Sequence, residues 1–488
     1  MDLLLYTLVA LVGILIRVLV GYAPYSGEHD APRFGDYEAQ RHWMEITLNL
    51  PAHEWYAGSS RNDLSYWGLD YPPLTAYHEL LLGYFSRWFE PSSVELYTSR
   101  GYETETHRNF MRMTVLVSDV FFYFIGAFLL SRLTPSKGRF GAFFVLILNP
   151  AAIWIDHGHF QYNTVAVGLL FIAIWATISN RYVLGAIAYT CSFLFKQTLM
   201  YFAPAFLAYM LGEALRLPSW RDTGIRVGVL GLTVIGTIVV VFAPLLLSCD
   251  YSGCMAERSG HILTRVFPFG RGLLEDYVAN IWTILTPVLR LRSMTAIKQK
   301  FCAIASLTGT VVGFSEVFVS LVKRPDPKFF TVALAACSFS FYLFSWMVHE
   351  KAILLPLSMV LAAAPCLANL KISDLIFRMI EASILSMWRL MKIEGNYLAA
   401  FAVLGIAWIT FRDVAGYKAE PTSTSSKVML WMNLGAFLMI VFDLYVPAPT
   451  ALPYLWILGN CATCCATFVI CWRQLVVSCL KSQGKKLD

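Results

Sequence analysis

The sequence predicts an all-α polytopic membrane protein, and three observations carry that expectation. Only 14% of the 488 residues are charged, against about 25% in soluble chains. Hydrophobic residues make up 57% of the chain, and its mean hydropathy is +0.58. Apolar stretches of roughly 16 to 22 residues recur, each closed by charge or proline, which is the length a helix needs to cross a bilayer. An outer-membrane barrel would need short alternating segments instead, and none are visible.

The first apolar segment, Leu3 to Val20, follows Met1-Asp2 with no basic region before it and carries Arg17. It reads as a retained span and not a cleaved signal. A long polar and aromatic loop follows, 21–111, with a helical pattern from Tyr37 to Leu48. Further spans are expected near 111–130, 140–155, 164–178, 182–195, 198–212 and 227–247. After a second large loop, 248–300, come spans near 301–322, 329–347, 352–368, 375–391, 397–411, 428–446 and 451–472. Within 248–300 the stretch 277–291 is moderately apolar, but Asn280, Thr283 and Pro287 interrupt it. It reads as an interfacial or re-entrant helix. The expectation is about fourteen transmembrane helices in one domain, 1–488, with large luminal loops carrying amphipathic helices and a tail at 473–488. No internal repeat is apparent.

Loop chemistry sorts the two sides. Arg132, Lys137 and Arg139, then Arg216, Arg221 and Arg226, then Lys323, Arg324 and Lys328, fall in alternate loops. The positive-inside rule makes those loops cytosolic. The net charge of +6 sits largely there, so it speaks to topology and not to nucleic acid. Both termini are then cytosolic, and the final Lys-Lys-Leu-Asp has the form of a dilysine endoplasmic-reticulum retrieval signal. The opposite loops are rich in carboxylate, His, Gln and aromatic residues. Of eleven cysteines, Cys461, Cys464, Cys465, Cys471 and Cys479 crowd the last span, where packing or acylation is a better reading than metal. Cys249 and Cys254 are placed to pair if their loop faces an oxidising lumen.

Every chemically suggestive cluster lies in the second set of loops. Asp36 stands shortly after the first span, where a carboxylate could serve as the base for transfer onto a hydroxyl; the bland alternative is a helix N-cap. Glu38 is the lesser candidate. Asp70 precedes Tyr71-Pro72-Pro73, a rigid elbow backed by Tyr66 and Trp67; it fits a sugar ligand, a second carboxylate, or a structural partner for Arg41. The Asp156–Asn163 loop offers Asp156, His157, His159, Gln161 and Asn163, metal-like by type but better suited to a polar substrate. Lys196 at a span boundary is either a snorkelling lysine or a phosphate ligand. His349-Glu350-Lys351 places a cation beside a histidine at the interface, which suits a departing lipid phosphate. Arg265 and Arg271 add a second basic site that Glu275 and Asp276 could equally pair with. Arg17, Asp119 and Glu316 within the spans read as buried structural pairs.

Gly35-Asp36-Tyr37-Glu38-Ala39-Gln40-Arg41-His42-Trp43, Leu69-Asp70-Tyr71-Pro72-Pro73-Leu74-Thr75-Ala76-Tyr77-His78 and Gly158-His159-Phe160-Gln161-Tyr162-Asn163 carry a resemblance, as do Gly272 to Trp282 and Val348-His349-Glu350-Lys351. Together these resemble the eukaryotic dolichyl-phosphate-glucose-dependent α-1,3-glucosyltransferases of N-glycan precursor assembly, over about residues 3–365. Arg41-His42-Trp43 and Leu74 to His78 look like the first-glucose enzyme and not its second-glucose sister. Lys196-Gln197-Thr198-Leu199 departs from the expected Lys-Gln-Met-Glu.

The resemblance implies glucose transfer from dolichyl-phosphate-glucose to the terminal mannose of a nine-mannose, diphosphodolichol-linked oligosaccharide, in the endoplasmic-reticulum lumen. A β-linked donor and an α product imply inversion, hence one displacement and one base. By position in the first luminal loop that base is Asp36, with Asp70 a possible second carboxylate. His349, Lys351, Lys196 and Arg271 are expected at the donor phosphate, and Trp43, Trp67, Tyr71, His159 and Gln161 at the sugars. No cofactor or metal is required, although a loosely bound divalent ion stays open. A polar-lipid transporter or flippase would need functional charges within symmetric halves, and a non-catalytic subunit would be inactive alone.

Overall fold

The computed structural model describes residues 2–247, 252–267, 277–289, 296–345 and 348–484, and the regular structure there is helical. The expected spans overlap helices among the described residues, but 352–368 and 375–391 are each divided into shorter ones. Eight helices among the described residues are long and apolar enough to cross a membrane, and Leu4–Val20, Asn163–Ile178 and Tyr182–Phe195 are shorter apolar helices. Local chemistry sets many of the starts. Thr104, Ser219 and Ser423 accept the backbone N–H of His107, Asp222 and Ser426, and Pro73 and Pro327 occupy first turns, where a missing N–H costs nothing.

Burial explains the unequal lengths. Asn163–Ile178 is buried along most of its length and packs against Tyr182–Phe195, so protein and not lipid sets its limits. Trp220–Leu246 instead exposes Leu232, Ile235, Val239 and Val240, an apolar surface fit for lipid chains. Thr424–Tyr445 and Leu455–Gly484 pack together, and the latter also meets Pro327–Phe344.

The first loop is ordered. The Gly35–Asn49 helix packs on the Pro73–Phe89 helix, which turns Leu81, Tyr84, Phe85, Trp88 and Phe89 outward and buries Thr75, Glu79 and Ser86. It is thus amphipathic, as expected. Arg41 is fully buried between Glu38 and Glu45, with Nη2 to Glu38 at 2.6 Å and to Glu45 at 2.8 Å; Nη1 also donates to Ser93 O at 2.9 Å and Ser99 Oγ at 2.6 Å. The suggested Arg41–Asp70 pairing therefore gives way to pairs three and four residues apart on one helix face.

Other expectations are corrected. Only Gln161 and Tyr162 of the Asp156–Asn163 segment lie outside a helix: the Ser136–Ile147 helix breaks at Leu148-Asn149, a new turn starts at Pro150 under the Asn149 cap, and it widens into a π turn over Ile153–Phe160. Its polar side chains are buried against protein partners, so hydropathy falls without the chain reaching water. Glu316 is half-exposed and pairs with Arg473 at 3.1 Å, whereas Arg17 and Asp119 do form a fully buried pair. In 277–291 the helix Ile281–Leu289 has nine residues, a rise of about 14 Å and so half a hydrocarbon core. Cys461, Cys464, Cys465, Cys471 and Cys479 are buried free thiols, which fits packing. Arg271, Glu275, Asp276, the Cys249 side of the Cys249–Cys254 pairing and the final lysines lie outside the described residues.

Candidate active site

Two glycines bring the first loop to the third span. Gly35 has φ 63°, and a Cβ there would stand 2.5 Å from the Ser26 carbonyl carbon, while one on Gly27 would stand 2.1 Å from that of Phe34. Only glycines permit this crossing. Ser26 secures it, since its N–H donates to His159 O at 2.9 Å and its Oγ accepts the Asp36 N–H at 3.1 Å. Asp36 lies within the first turn of the Gly35–Asn49 helix, and Phe34 holds the cap position. Its side chain is therefore not used as a cap.

The Asp36 carboxylate is the centre of a cluster drawn from four parts of the chain. Oδ2 accepts from His159 Nε2 at 2.8 Å, from Gln161 Nε2 and from Lys351 Nζ. Lys351 stands on the short turn Glu350–Ile353, with Nζ also 2.9 Å from His159 Nε2. Gln161 is extended, at φ −155°, because Phe160 before it turns the chain out of the helix at φ 90°. The Gln161 amide faces two ways, donating its N–H to Asp36 and accepting at Oε1 from Lys196 Nζ at 2.9 Å. Lys196 also donates to Asn163 Oδ1 and lies 4.7 Å above the Tyr71 ring.

Exposure divides this cluster. The Asp36 and Lys351 side chains are 22% and 19% exposed, whereas His159 and Glu394 are 2% and 3% exposed. The carboxylate and the lysine are therefore the accessible members, and the histidine and Glu394 lie behind them. Burial by itself would raise the Asp36 carboxyl, but the Lys351 charge and the His159 hydrogen bond outweigh it and hold the group well below the usual carboxylate range. In turn burial would lower Lys351, and the Asp36 charge raises it above an ordinary lysine. Lys196 lacks so close a counter-charge. Burial, with the Lys351 charge beside it, lowers its pKa to about 8.

The remaining candidates surround this core. Trp43 is buried, donates Nε1 to Trp67 O at 2.8 Å, and packs on Tyr71 with ring centroids 5.0 Å apart. Trp67 Nε1 donates to Arg33 O at 2.6 Å. The Asp70 charge acts on both Lys196 and Tyr71, and its carbonyl accepts from Gln197 Nε2 at 3.3 Å. His349 is exposed two residues before Lys351. Arg265 Nε donates to Leu69 O at 3.1 Å, which ties it to the elbow backbone.

The metal-like types in 156–163 do not converge. Asp156 accepts from Asn163 Nδ2 at 2.7 Å and from the Thr164 N–H at 2.6 Å, binding the start of the next helix. His157 Nε2 meets Asp119 at 3.0 Å, and His159 faces Asp36. No group of three metal-ligating side chains occurs among the described residues.

One member was missed from sequence. Glu394 reaches His159 Nδ1 and accepts from Asn396 Nδ2 at 2.8 Å. It ends the Trp388–Glu394 helix, where Gly395 at φ 72° and the Asn396 N–H to Met391 O bond form a Schellman close. The alternation of loops puts 392–396 on the same side as the other polar clusters, and that was the available signal.

Comparison with known proteins adds a family. The profile of the ALG6, ALG8 glycosyltransferase family matches residues 13–475. The probable dolichyl pyrophosphate Man9GlcNAc2 alpha-1,3-glucosyltransferase of Dictyostelium discoideum is 36% identical over 497 residues, covering 93% of this chain and 91% of its own. The dolichyl pyrophosphate Man9GlcNAc2 alpha-1,3-glucosyltransferase of Saccharomyces cerevisiae is 33% identical over 508 residues, covering 97% and 91%. A probable enzyme of the same name from Arabidopsis thaliana is 42% identical over 355 residues, covering 71% and 64%.

Proposed function

The chain belongs to the ALG6, ALG8 glycosyltransferase family, and from that premise we propose that it transfers glucose from dolichyl-phosphate-glucose to the terminal mannose of a nine-mannose, diphosphodolichol-linked oligosaccharide. The acceptor is the one in the names of its relatives. The donor and the inverting α-1,3 outcome rest on the likeness of the loop motifs. The reaction takes place on the endoplasmic-reticulum luminal face, with both termini cytosolic.

The observation that carries the chemistry is the Asp36 carboxylate held by Lys351, His159 and Gln161 with one side open. Asp36, ionised at neutral pH, takes the proton of the mannose hydroxyl. That oxygen attacks the anomeric carbon of glucose as the bond to phosphate breaks, and the electron pair leaves with dolichyl phosphate. The new bond forms opposite the old one, so a β donor yields an α product.

Lys351 has two duties in this scheme. Without donor it neutralises Asp36 and makes it a weak base. A lipid phosphate drawn to Lys351 and Lys196 shares those cations, and the basicity of Asp36 rises when the donor is in place. His349, exposed two residues before Lys351, is assigned to the same phosphate in this scheme. Asp70, Trp43, Trp67 and Tyr71 form the wall proposed for the sugars. A phosphate already departs readily, so the step as written needs no metal.

Purified protein in liposomes with both lipid substrates tests the proposal. Glucose should pass to the nine-mannose acceptor, and Asp36→Asn should abolish transfer while donor binding persists. Turnover in that variant would move the base to Asp70 or Glu38, and preference for a monoglucosylated acceptor would reassign the chain to the second-glucose step.

A further inference from the structure

Behind the proposed base lies a carboxylate that the reaction as written does not use. Glu394 is 235 positions from His159 in sequence, yet the two side chains meet in a region that is 2% and 3% exposed. Their contact continues a line in which Glu394 faces Nδ1 and Asp36 faces Nε2 of one imidazole. Glu394 is itself held. Oε2 accepts from Asn396 Nδ2 at 2.8 Å, and Asn396 accepts Trp154 Nε1 at 3.0 Å and donates to Pro24 O at 3.1 Å. Trp154 is one turn before His159, and Pro24 is two residues before the serine that pins Asp36, so the whole line is anchored at both ends.

A carboxylate beside an imidazole nitrogen keeps a proton on that nitrogen, since a bare lone pair there would face negative charge. Nδ1 of His159 therefore carries hydrogen whether the ring is neutral or charged. Nε2 faces Asp36 at 2.8 Å and by the same argument keeps its hydrogen, so the ring donates to an acid on each side.

We infer that Glu394 is a positioning residue for the transfer reaction, holding His159 with Nδ1 protonated and Nε2 donating to Asp36, so that the base keeps its place beside Lys351. The inference rests on Asp36 as the base. Glu394 touches neither sugar nor phosphate, and its effect reaches the substrate only through His159.

The test uses the full-length protein in liposomes with both lipid substrates. Glu394→Gln keeps the shape and loses the charge. It should lower kcat about 10- to 100-fold, the usual cost of losing a carboxylate that orients a histidine, with the donor KM and the unfolding temperature held. Glu394→Asp, which keeps the charge, should recover part of the loss. In a His159→Asn background Glu394→Gln should cost nothing further, because the pair acts as a unit. A kcat near that of the parent enzyme, a full additional loss in the His159→Asn background, or failure of both Glu394 variants to fold would each overturn the inference and leave Glu394 to the fold. Because Asp36→Asn is measured beside them, the two readings separate: its inactivity with an indifferent Glu394 sinks only this inference, and its turnover sinks both.

Discussion

Two clusters in this molecule are built from the same ingredients and differ in one respect. Arg17, Asp119 and His157 join a cation, an acid and a histidine inside the first spans, with His157 Nε2 at 3.0 Å from Asp119. Lys351, Asp36 and His159 repeat that set, His159 lying on the same helical stretch as His157. The two histidines are two positions apart on one helix, so they face roughly opposite ways. The first set is closed, with Arg17 and Asp119 at 0% and His157 at 3% exposed. The second has its acid and cation about one-fifth exposed. Burial turns a charged triad into a fastening, whereas an opening leaves the acid and the cation within reach of the outside. Composition alone does not distinguish them.

The largest expected effect breaks the pair apart. Asp36→Asn should cost about 10²- to 10⁴-fold in kcat, the usual worth of a positioned base, with little change in thermal unfolding. Asp119→Asn should do the reverse. Removing one partner of a buried pair costs about 3–5 kcal/mol, read as a lowered unfolding temperature in detergent, while the protein that remains folded should turn over near the parent rate.

A smaller effect sharpens the role of the open cluster. Lys196 titrates near 8, and a cation loses its charge as pH rises through its pKa. The donor KM should therefore climb above about pH 8, and Lys196→Arg should carry that limb to higher pH because arginine stays charged. Loss of donor affinity with an identical pH course in Lys196→Arg would remove Lys196 from the phosphate site. The smallest effect concerns the wall. Trp43→Phe deletes the bond to Trp67 O and should lower stability by about 0.5–1.5 kcal/mol, measurable as a shift in unfolding.

Much of this was legible in the chain. Apolar length located eight helices long enough to span and three shorter apolar ones among the described residues, and the alternation of loops collected Asp36, His159, Gln161, Lys196 and Lys351 on one side. All five lie in the connected cluster. Residues 156–160 were misread as a loop because hydropathy assumes that polar side chains seek water. Here Asp156 binds Asn163 and Thr164, and His157 binds Asp119. Arg41 was offered the wrong acid because Glu38 and Glu45, on its own helix face, were nearer. Glu394 was invisible for a different reason: its partner is 235 residues distant, and no local pattern encodes which of many facing loops it meets.

The crossing of Gly27 and Gly35 has a practical meaning for anyone who wishes to label this protein. Residues 27–35 form a ring of set circumference, closed by Ser26 at Asp36 and at His159. One residue added to that ring would displace the carboxylate relative to the histidine. The tip at Ser59, Ser60 and Arg61 is exposed and lies beyond the ring, so a fluorophore or affinity sequence grafted there should leave the chemistry undisturbed.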